Sequence, residues 1–222
     1  MSDMLLYQND EMAVLNKPGN IPVQDFANDF ADMFAKNIRR CVRRGIKDAA
    51  AHYVHRLDKH TSGCLVIGFT SNGRRRLHKI FEGHRANKIY FAVVKGELTD
   101  RQITINSPLH YDKDANLTAV RDDGKQALTE VEVMGIGDGL SIVKLRPITG
   151  RTHQLRAHLR HIGHPILGDV KYGDNASPPL YLHAREIHLP TRDGKILAVR
   201  APLPPHMRDM FQGIFSTKAP EV

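Results

Sequence analysis

The sequence lacks several features, and each absence narrows the class of protein. No apolar run approaches the roughly eighteen residues that suggest a membrane span, so no transmembrane helix is expected. Its two cysteines, Cys41 and Cys64, form no CxxC pair and no zinc-knuckle spacing, which favours reduced thiols over a disulfide framework. The N-terminal residues lack the basic-then-apolar layout of a secretory signal. We therefore expect a cytoplasmic protein.

The sequence also lacks internal repeats, low-complexity stretches and Pro/Ser-rich linkers, so a single domain is expected over residues 1–222. That length, with 41% hydrophobic and 25% charged residues, is enough to bury a sizeable core. Short helical patterns are scattered among many strand-like segments with hairpin-like links. This arrangement predicts a mixed α+β fold rather than a regular βαβ alternation.

Positive charge is in excess, with 32 Lys and Arg against 24 Asp and Glu, a net charge of +8 and a pI near 9.6. The segment from Lys36 to Lys88 holds 14 basic and 3 acidic residues, while the rest of the chain holds 18 and 21. One segment thus carries the whole excess. Charge concentrated in this way is typical of proteins that bind a polyanion, most often a nucleic acid, although a solvated basic face would show the same pattern.

Hydrophobic periodicity predicts the main elements. Strands are predicted over residues 4–7, 12–16, 64–69, 88–95, 127–134, 140–146 and 180–189, the fifth and sixth forming a hairpin around Gly137-Asp138-Gly139. Helices are predicted over residues 26–44 and 152–162, after a cap at Ser71 or Asn72, and from Pro204 to near Phe211. Thr152 is the predicted cap of the 152–162 helix.

The first segment with chemical potential is His-Arg-Leu-Asp-Lys-His-Thr-Ser-Gly, residues 55–63, which precedes an apolar strand. It is polar and ends in Ser-Gly, so it should form a loop at a strand edge. The cations around Asp58 favour its carboxylate form. A lone aspartate in this setting is more often part of a structural ion pair than a catalytic group.

The second segment is Lys-Ile-Tyr-Phe-Ala-Val-Val-Lys-Gly, residues 88–96. On a strand, alternation places Tyr90 on the same face as Lys88, Ala92 and Val94. A tyrosine beside a lysine could stack on a nucleic-acid base, and the alternative is a core tyrosine with a satisfied hydroxyl.

The third segment is residues 148–160, Ile-Thr-Gly-Arg-Thr-His-Gln-Leu-Arg-Ala-His-Leu-Arg, and continues into Gly-His-Pro-Ile-Leu-Gly-Asp-Val-Lys-Tyr-Gly. Leu155 and Leu159 belong to the buried stripe of the predicted helix. Arg156 lies beside that stripe, so its guanidinium is expected to be partly buried and to bind a carboxylate.

Other chemistries fit the sequence poorly. A metal site is suggested by a group of histidines, but they form no HExxH pair and have no nearby cysteines: His153, His158, His161 and His164. No GxGxxG, P-loop or GxSxG pattern is present, so a nucleotide cofactor and a serine nucleophile have no support. Cys64 lies in an apolar run and is predicted to be a core thiol.

Taken together and in this order, the three segments resemble the RluA-type pseudouridine synthases. Residues 16–23, Asn-Lys-Pro-Gly-Asn-Ile-Pro-Val, resemble the lysine-proline opening of that family, one residue shorter than its usual form. The resemblance covers about residues 4 to 205, without an N-terminal S4-like domain. It implies a mixed, mainly antiparallel sheet with flanking helices and a basic cleft, the pseudouridine synthase fold.

The resemblance also implies a reaction that needs no metal, nucleotide or redox cofactor. Uridine within RNA becomes pseudouridine when the N1–C1′ bond breaks, the base turns, and C5 joins C1′. Asp58 matches the essential aspartate, which either attacks C1′ or abstracts a proton from the sugar. Tyr90 matches the aromatic that stacks on the target base, Arg156 the arginine that pairs with the aspartate, and Arg56 the arginine beside the flipped nucleotide.

The expected partner is structured RNA, ribosomal or transfer RNA or both, bound by a monomer. Its backbone would be contacted by basic residues inside and beside these segments: Arg56, Lys88, Arg39, Arg40, Arg43, Arg44, Arg74, Arg75, Arg76 and Arg151. Two other hypotheses compete with a synthase. One is a non-catalytic RNA-binding module or RNA chaperone on the same fold, and the other is a metal hydrolase built on the histidines.

Overall fold

A computed structural model of the protein describes residues 4–29, 52–173 and 179–216. The described strands are β1 (Leu5–Gln8), β2 (Met12–Lys17), β3 (His52–Tyr53), β4 (Ser62–Gly68), β5 (Asn87–Lys95), β6 (Gln102–Asn106), β7 (Leu109–Asp112), β8 (Leu117–Val120), β9 (Leu128–Gly137), β10 (Leu140–Pro147), β11 (Leu182–Pro190) and β12 (Ile196–Arg200). The described helices are α1 (Val23–Asp29), α2 (Ser71–Glu82), α3 (Gln154–His161) and α4 (Pro205–Ser216). The fold is mixed and mainly antiparallel β-structure with few helices, as the sequence predicts.

The chain divides into two compact units. The first unit comprises Met1–Asn87 and Ala184–Pro202, and the second comprises Lys88–His183 and Leu203–Val222. A single domain over the whole chain remains a prediction. The longest helices in the described ranges have twelve residues, which is too short to cross a bilayer.

The first unit is built on strands in the order β1-β2-β4-β11, with β3 paired to β4 and β12 paired to β11. Strand β4 is buried along its whole length, because its run of apolar and small residues can be covered on both faces. Cys64 on β4 is 2% exposed, and burial raises the pKa of its thiol to about 12. Its prediction as a core thiol is therefore confirmed.

Helix α2 packs its apolar side, including Leu77 and Ile80, into the core of the first unit. The prediction of a cap at Ser71 or Asn72 was wrong. The cap is Thr70, whose backbone is extended and whose Oγ1 accepts a hydrogen bond from the N–H of Gly73 at 2.9 Å. The helix thus begins one residue earlier than the polar pattern indicated.

The second unit contains the strand order β5-β10-β9-β6, all antiparallel, and a separate β7–β8 hairpin. The two faces of β5 are as predicted. Ala92 and Val94 belong to one apolar cluster, against which Tyr90 packs, while Val93 belongs to another with Phe91 against it. The first of these clusters includes helix α3, and the second includes helix α4.

The predicted hairpin is confirmed as β9 and β10, joined through Asp138 and Gly139, which both have positive φ as a tight two-residue turn requires. Five short or polar strands were not predicted: β3, β6, β7, β8 and β12. Helix α4 continues to Ser216, past the predicted end near Phe211. The helix predicted over residues 26–44 lies mostly outside the described residues, which show only α1 at its start.

Gly63, at the end of the Asp58 segment, lies very close to the backbone of Ala184. Its φ is +107°, and a Cβ at this position would lie 2.3 Å from the carbonyl oxygen of Ala184. Only glycine avoids that overlap. The Ser-Gly that closes the segment therefore allows β4 to lie directly against its neighbour.

Gly63→Ala should lower the free energy of unfolding by more than about 2 kcal/mol, because a backbone atom must shift to admit the methyl group. The matched control is Gly139→Ala, which also has positive φ but no atom within 4 Å of the new Cβ, and should lose only about 1 kcal/mol. Urea unfolding measures both. Equal losses would show that backbone conformation, not the close approach, requires the glycine.

Candidate active site

The Asp58 loop is held by alternating buried and exposed side chains. Leu57 is 5% exposed and anchors the loop in the first unit, whereas Arg56 points to solvent and Asp58 is half-buried. The carbonyl oxygen of Asp58 accepts a hydrogen bond from the N–H of Thr61 at 3.1 Å, which closes a tight turn. The carboxylate therefore sits on an ordered turn at the edge of β4, as the sequence predicts.

His55, at the start of the loop, is tied to the same unit. Its Nε2 accepts a hydrogen bond from the N–H of Val66 at 2.8 Å, and its ring stacks on Phe81 with centroids 4.4 Å apart. These contacts fix the imidazole between β4 and α2. His55 thus anchors the beginning of the loop, as Leu57 anchors its middle.

Lys17 is a site residue that the sequence analysis did not single out. Its side chain is fully buried, and its three N–H donors all reach carbonyl oxygens: Pro18 at 2.8 Å, Ile21 at 2.9 Å and Lys59 at 3.1 Å. The last of these belongs to the Asp58 loop. Lys17 therefore joins the Lys-Pro segment to the residue next to Asp58, and the Lys-Pro pair itself was the available signal.

The charge of Lys17 acts on the same loop. Burial lowers the pKa of its ammonium group to about 8, and the negative charge of Asp58 opposes that shift. The two groups are thus close enough to interact electrostatically. A lysine can donate to three carbonyl oxygens only while it is protonated, so all three hydrogen bonds to the loops are complete below about pH 8.

Lys17→Met should reduce turnover at least tenfold, because three buried carbonyls lose their donor and each unsatisfied group costs about 1–3 kcal/mol. The matched control is Lys59→Met, which removes an exposed lysine from the Asp58 loop and leaves its carbonyl in place. Steady-state turnover on RNA measures both variants. A Lys17→Met enzyme as active as the control would contradict the assigned role.

In the second unit, Tyr90 and Lys88 lie on one face of β5. Tyr90 is half-buried and packs against the apolar cluster that contains Ala92 and Leu155. Lys88 makes a long contact of 3.5 Å to the carbonyl oxygen of Thr149, and burial lowers the pKa of its ammonium group. A phosphate beside Lys88 would stabilise its charged form.

Arg156, on helix α3, forms a buried ion pair with Asp169. Its Nε donates to Oδ2 at 2.7 Å and its Nη2 donates to Oδ1 at 2.8 Å, while the two side chains are 5% and 0% exposed. The expectation of a partly buried guanidinium that binds a carboxylate is confirmed. The sequence analysis missed Asp169 as the partner, although it is the sole carboxylate in residues 163–173.

Two further groups surround this pair. The guanidinium carbon of Arg156 lies 4.8 Å from the centroid of the Tyr172 ring, a cation–π contact worth up to about 2 kcal/mol when desolvated. Oδ1 of Asp169 also accepts hydrogen bonds from the backbone N–H groups of Lys171 and Tyr172, at 3.0 and 3.1 Å. The buried charges are therefore compensated on several sides.

The segment before helix α3 is organised by Gln154 rather than by Thr152, whose prediction as the helix cap was wrong. The cap position is His153, in a left-handed conformation with φ of 52° and no side-chain cap bond. The side chain of Gln154 accepts from the Thr149 hydroxyl at 2.7 Å and the Arg151 N–H at 3.0 Å. The loop leading to Arg156 is thus tied to the helix that carries it.

Three of the four histidines considered for a metal site make hydrogen bonds to nearby protein groups: His153, His158 and His164. His158 is fully buried, with Nδ1 2.9 Å from the Thr129 hydroxyl and Nε2 3.0 Å from the Ser107 carbonyl oxygen. His164 bonds the Lys95 carbonyl oxygen through Nδ1 at 2.9 Å. In residues 4–29, 52–173 and 179–216, no group of three His, Cys, Asp or Glu side chains is placed to hold a metal.

His158 should make the free energy of unfolding depend on pH. Burial lowers its pKa in the folded state below the usual value near 6.5, so the unfolded chain binds the proton more readily. The contribution of neutral His158 to the free energy of unfolding is therefore fully present above about pH 6.5. It decreases as the pH falls, by at most about 1.4 kcal/mol per pH unit.

Urea unfolding at pH 7.5 and 5.5 measures this loss. His158→Gln should lose less stability between the two pH values than the wild type does. His84→Asn is the control, since His84 is exposed and in a left-handed conformation that asparagine tolerates. If His158→Gln and the wild type show the same pH dependence, the titration belongs to another group.

The predicted RNA-binding arginines differ in their surroundings. Arg74 and Arg75 are exposed on α2, but Arg76 is half-buried and donates to Glu11 at 3.0 Å and to the Pro190 carbonyl oxygen at 3.2 Å. Arg76 thus has a structural ion pair. Arg151 is exposed in the second unit, and four predicted residues lie outside the described part of the chain: Arg39, Arg40, Arg43 and Arg44.

The predicted catalytic residues are distributed over both units. Asp58 belongs to the first, and Tyr90 and Arg156 belong to the second. Each lies in the local setting that the sequence indicates, on a turn, a strand face and a helix. The pairing of Asp58 with Arg156, and the basic cleft, remain predictions.

Comparison with known proteins identifies the class of enzyme. A family model described as RNA pseudouridylate synthase matches residues 11–161. The ribosomal large subunit pseudouridine synthase C of Rickettsia prowazekii is 34% identical over 220 residues, which cover 92% of this chain and 69% of that protein. An uncharacterised RNA pseudouridine synthase of Zymomonas mobilis is 31% identical over 217 residues, covering 95% and 98%.

The fold agrees with these matches. The structure of human RNA pseudouridylate synthase domain containing 4 superposes with a TM-score of 0.78 at 25% identity, covering 96% of this chain and 94% of that one. Motifs and fold together define an isomerase that acts on RNA. The chain belongs to the RNA pseudouridylate synthase family, so it converts uridine in RNA to pseudouridine.

Proposed function

We propose that Asp58 is the carboxylate on which the isomerisation depends. The observation that carries the proposal is its setting. The aspartate is half-buried on a turn anchored by Leu57, and the buried ammonium of Lys17 binds the neighbouring Lys59 carbonyl and interacts with the Asp58 charge. A carboxylate held in this way is oriented before the substrate arrives, which is what a group acting at the sugar requires.

The reaction needs no outside reagent. The N1–C1′ bond breaks, the base turns, the C5–C1′ bond forms, C5 loses a proton and N1 gains one, so atoms and electrons balance within the nucleotide. Asp58 either attacks C1′ or abstracts a proton from the sugar, and both roles need its ionised form. In this proposal the side chains of the protein suffice, without metal, nucleotide or redox cofactor.

Tyr90 is proposed to receive the flipped base. Removing a base from its stack costs a few kcal/mol, and stacking on an aromatic ring returns about 1–3 kcal/mol. The ring of Tyr90 packs against an apolar cluster that holds it rigid, while the residue remains half-buried rather than enclosed. A rigid, partly accessible ring is suited to stacking.

Arg156 is proposed to orient Asp58. Its contact with Asp169 uses Nε and Nη2, two of the three guanidinium nitrogens. A planar guanidinium can hold two carboxylates on different edges, which a lysine ammonium cannot do with the same geometry.

The proposed substrate is large-subunit ribosomal RNA. The relative from Rickettsia prowazekii carries that substrate in its name. Exposed cations in the described part of the chain would contact the RNA backbone, in particular Arg56, Arg74, Arg75 and Arg151. We further propose that the enzyme acts as a monomer in the cytoplasm, where ribosomal RNA is available, with transfer RNA as the alternative substrate.

Asp58→Asn should abolish release of tritium from RNA labelled at uridine C5 while leaving RNA affinity unchanged or improved, because it removes a negative charge without changing size. The RNA should come from cells lacking the modification. Asp25→Asn is the control, since Asp25 is an exposed aspartate of the same unit. Its release should match the wild type.

The outcomes separate the hypotheses. Release by wild type and control but not by Asp58→Asn supports the role of Asp58, and comparison of ribosomal with transfer RNA identifies the substrate. Release by Asp58→Asn at the wild-type rate would refute that role. No release by the wild type from either RNA would favour an RNA-binding module on the same fold.

A further inference from the structure

The segment from Asp169 to Tyr172 supplies two different contacts to one side chain. Asp169 binds the edge of the Arg156 guanidinium through two parallel hydrogen bonds of 2.7 and 2.8 Å. Tyr172 lies against its flat face, 4.8 Å from the guanidinium carbon to the ring centroid. The edge contact restricts rotation within the guanidinium plane, and the face contact restricts tilting of that plane.

Tyr172 is itself fixed at both ends. Its backbone N–H donates to Oδ1 of Asp169 at 3.1 Å, so the ring and the carboxylate are held together. Its hydroxyl accepts a hydrogen bond from the N–H of Thr118 at 2.7 Å and lies 2.9 Å from Nδ1 of His153. With 2% exposure, the ring has no room to reorient.

The second anchor, His153, connects this arrangement to the helix that carries Arg156. It occupies the left-handed position immediately before α3, three residues ahead of Arg156. Its ring meets Tyr172 edge-on at 5.6 Å between centroids. Tyr172 therefore holds the start of α3 and the loop that faces Arg156 in fixed positions relative to each other.

We propose that Asp169 and Tyr172 are positioning residues for the isomerisation, together forming a clamp that sets the orientation of the Arg156 guanidinium. The inference rests on the proposed role of Arg156 toward Asp58. Neither residue touches the reacting atoms in this proposal. Both lie beyond residues 11–161, the range that the family model matches.

The clamp distinguishes cations by shape. A carboxylate edge and a flat ring together fit a planar cation, whereas an ammonium ion offers neither the parallel donors nor the flat face. The first experiment therefore uses Arg156→Ala, which leaves the clamp and removes its occupant. Tritium release from uridine-labelled RNA is measured with millimolar guanidinium chloride or with ammonium chloride at equal concentration.

Guanidinium should raise the turnover of Arg156→Ala at least tenfold, and ammonium should raise it less than twofold. Equal rescue by the two ions, or rescue by neither, would overturn the clamp. Arg156→Lys tests the same point if the alanine variant does not fold, because it keeps a tethered positive charge. The lysine enzyme should lose at least tenfold in kcat, and a loss under twofold would contradict the proposal.

The second experiment removes the face contact. Tyr172→Leu should lower kcat about tenfold with KM changed less than twofold, because the RNA still binds and the arginine is misoriented. In the Arg156→Ala background, the same substitution should raise the guanidinium concentration for half-maximal rescue at least fivefold. A purely structural role would leave that concentration unchanged, which would overturn the inference.

Tyr181→Leu is the matched control, since Tyr181 is a tyrosine of the same unit that packs edge-on against a histidine, His206, at 4.9 Å. It should leave the half-maximal guanidinium concentration unchanged, and a fivefold rise in this control too would contradict a specific clamp. A wild type without tritium release, or an Arg156→Ala enzyme as active as wild type, would refute the proposed function instead. An active wild type, an inactive Arg156→Ala enzyme and unselective rescue refute the clamp alone.

Discussion

The ion pair between Arg156 and Asp169 is the interaction on which the arrangement of the Asp169 loop and helix α3 depends. Both side chains are almost completely buried, so neither charge can be stabilised by water. Removing one partner of such a pair typically costs about 3–5 kcal/mol, because the other charge is left uncompensated. The loop containing Asp169, the ring of Tyr172 and the start of α3 therefore have to assemble around the guanidinium together.

The first unit also contains a buried positive charge, but its cation is a lysine. Lys17 is also fully buried, but its compact ammonium is matched by three carbonyl oxygens rather than by a carboxylate edge and an aromatic face. The single Nζ atom of Lys17 joins two loops through its hydrogen bonds. The contacts of Arg156 set both the plane and the direction of its guanidinium, which suits the proposed role of Arg156 in orienting Asp58.

Local sequence patterns predicted much of the architecture. They failed at the helix caps, where the backbone conformation of one residue determines the position of the cap. The alternation along β5, with Tyr90 and Phe91 on opposite faces, followed from the strand period and is confirmed. The helix caps did not follow. Thr70 caps α2 because its backbone is extended, and Thr152 fails because His153 takes the left-handed position before α3. Neighbouring polar residues are equally good candidates for a helix cap by sequence. The backbone conformation of the folded chain decides which of them is the cap.

The sequence by itself determined the family, the mixed α+β class and the segments around Asp58, Tyr90 and Arg156, because those depend on short, ordered motifs and on local periodicity. It also indicated that Arg156 would bind a carboxylate. Only the tertiary structure decided that this carboxylate is Asp169, and that Lys17 binds the loop of Asp58 from 42 residues away. The physical reason is that a buried charge takes the partner that folding brings within hydrogen-bond distance, and spacing along the chain does not encode that distance.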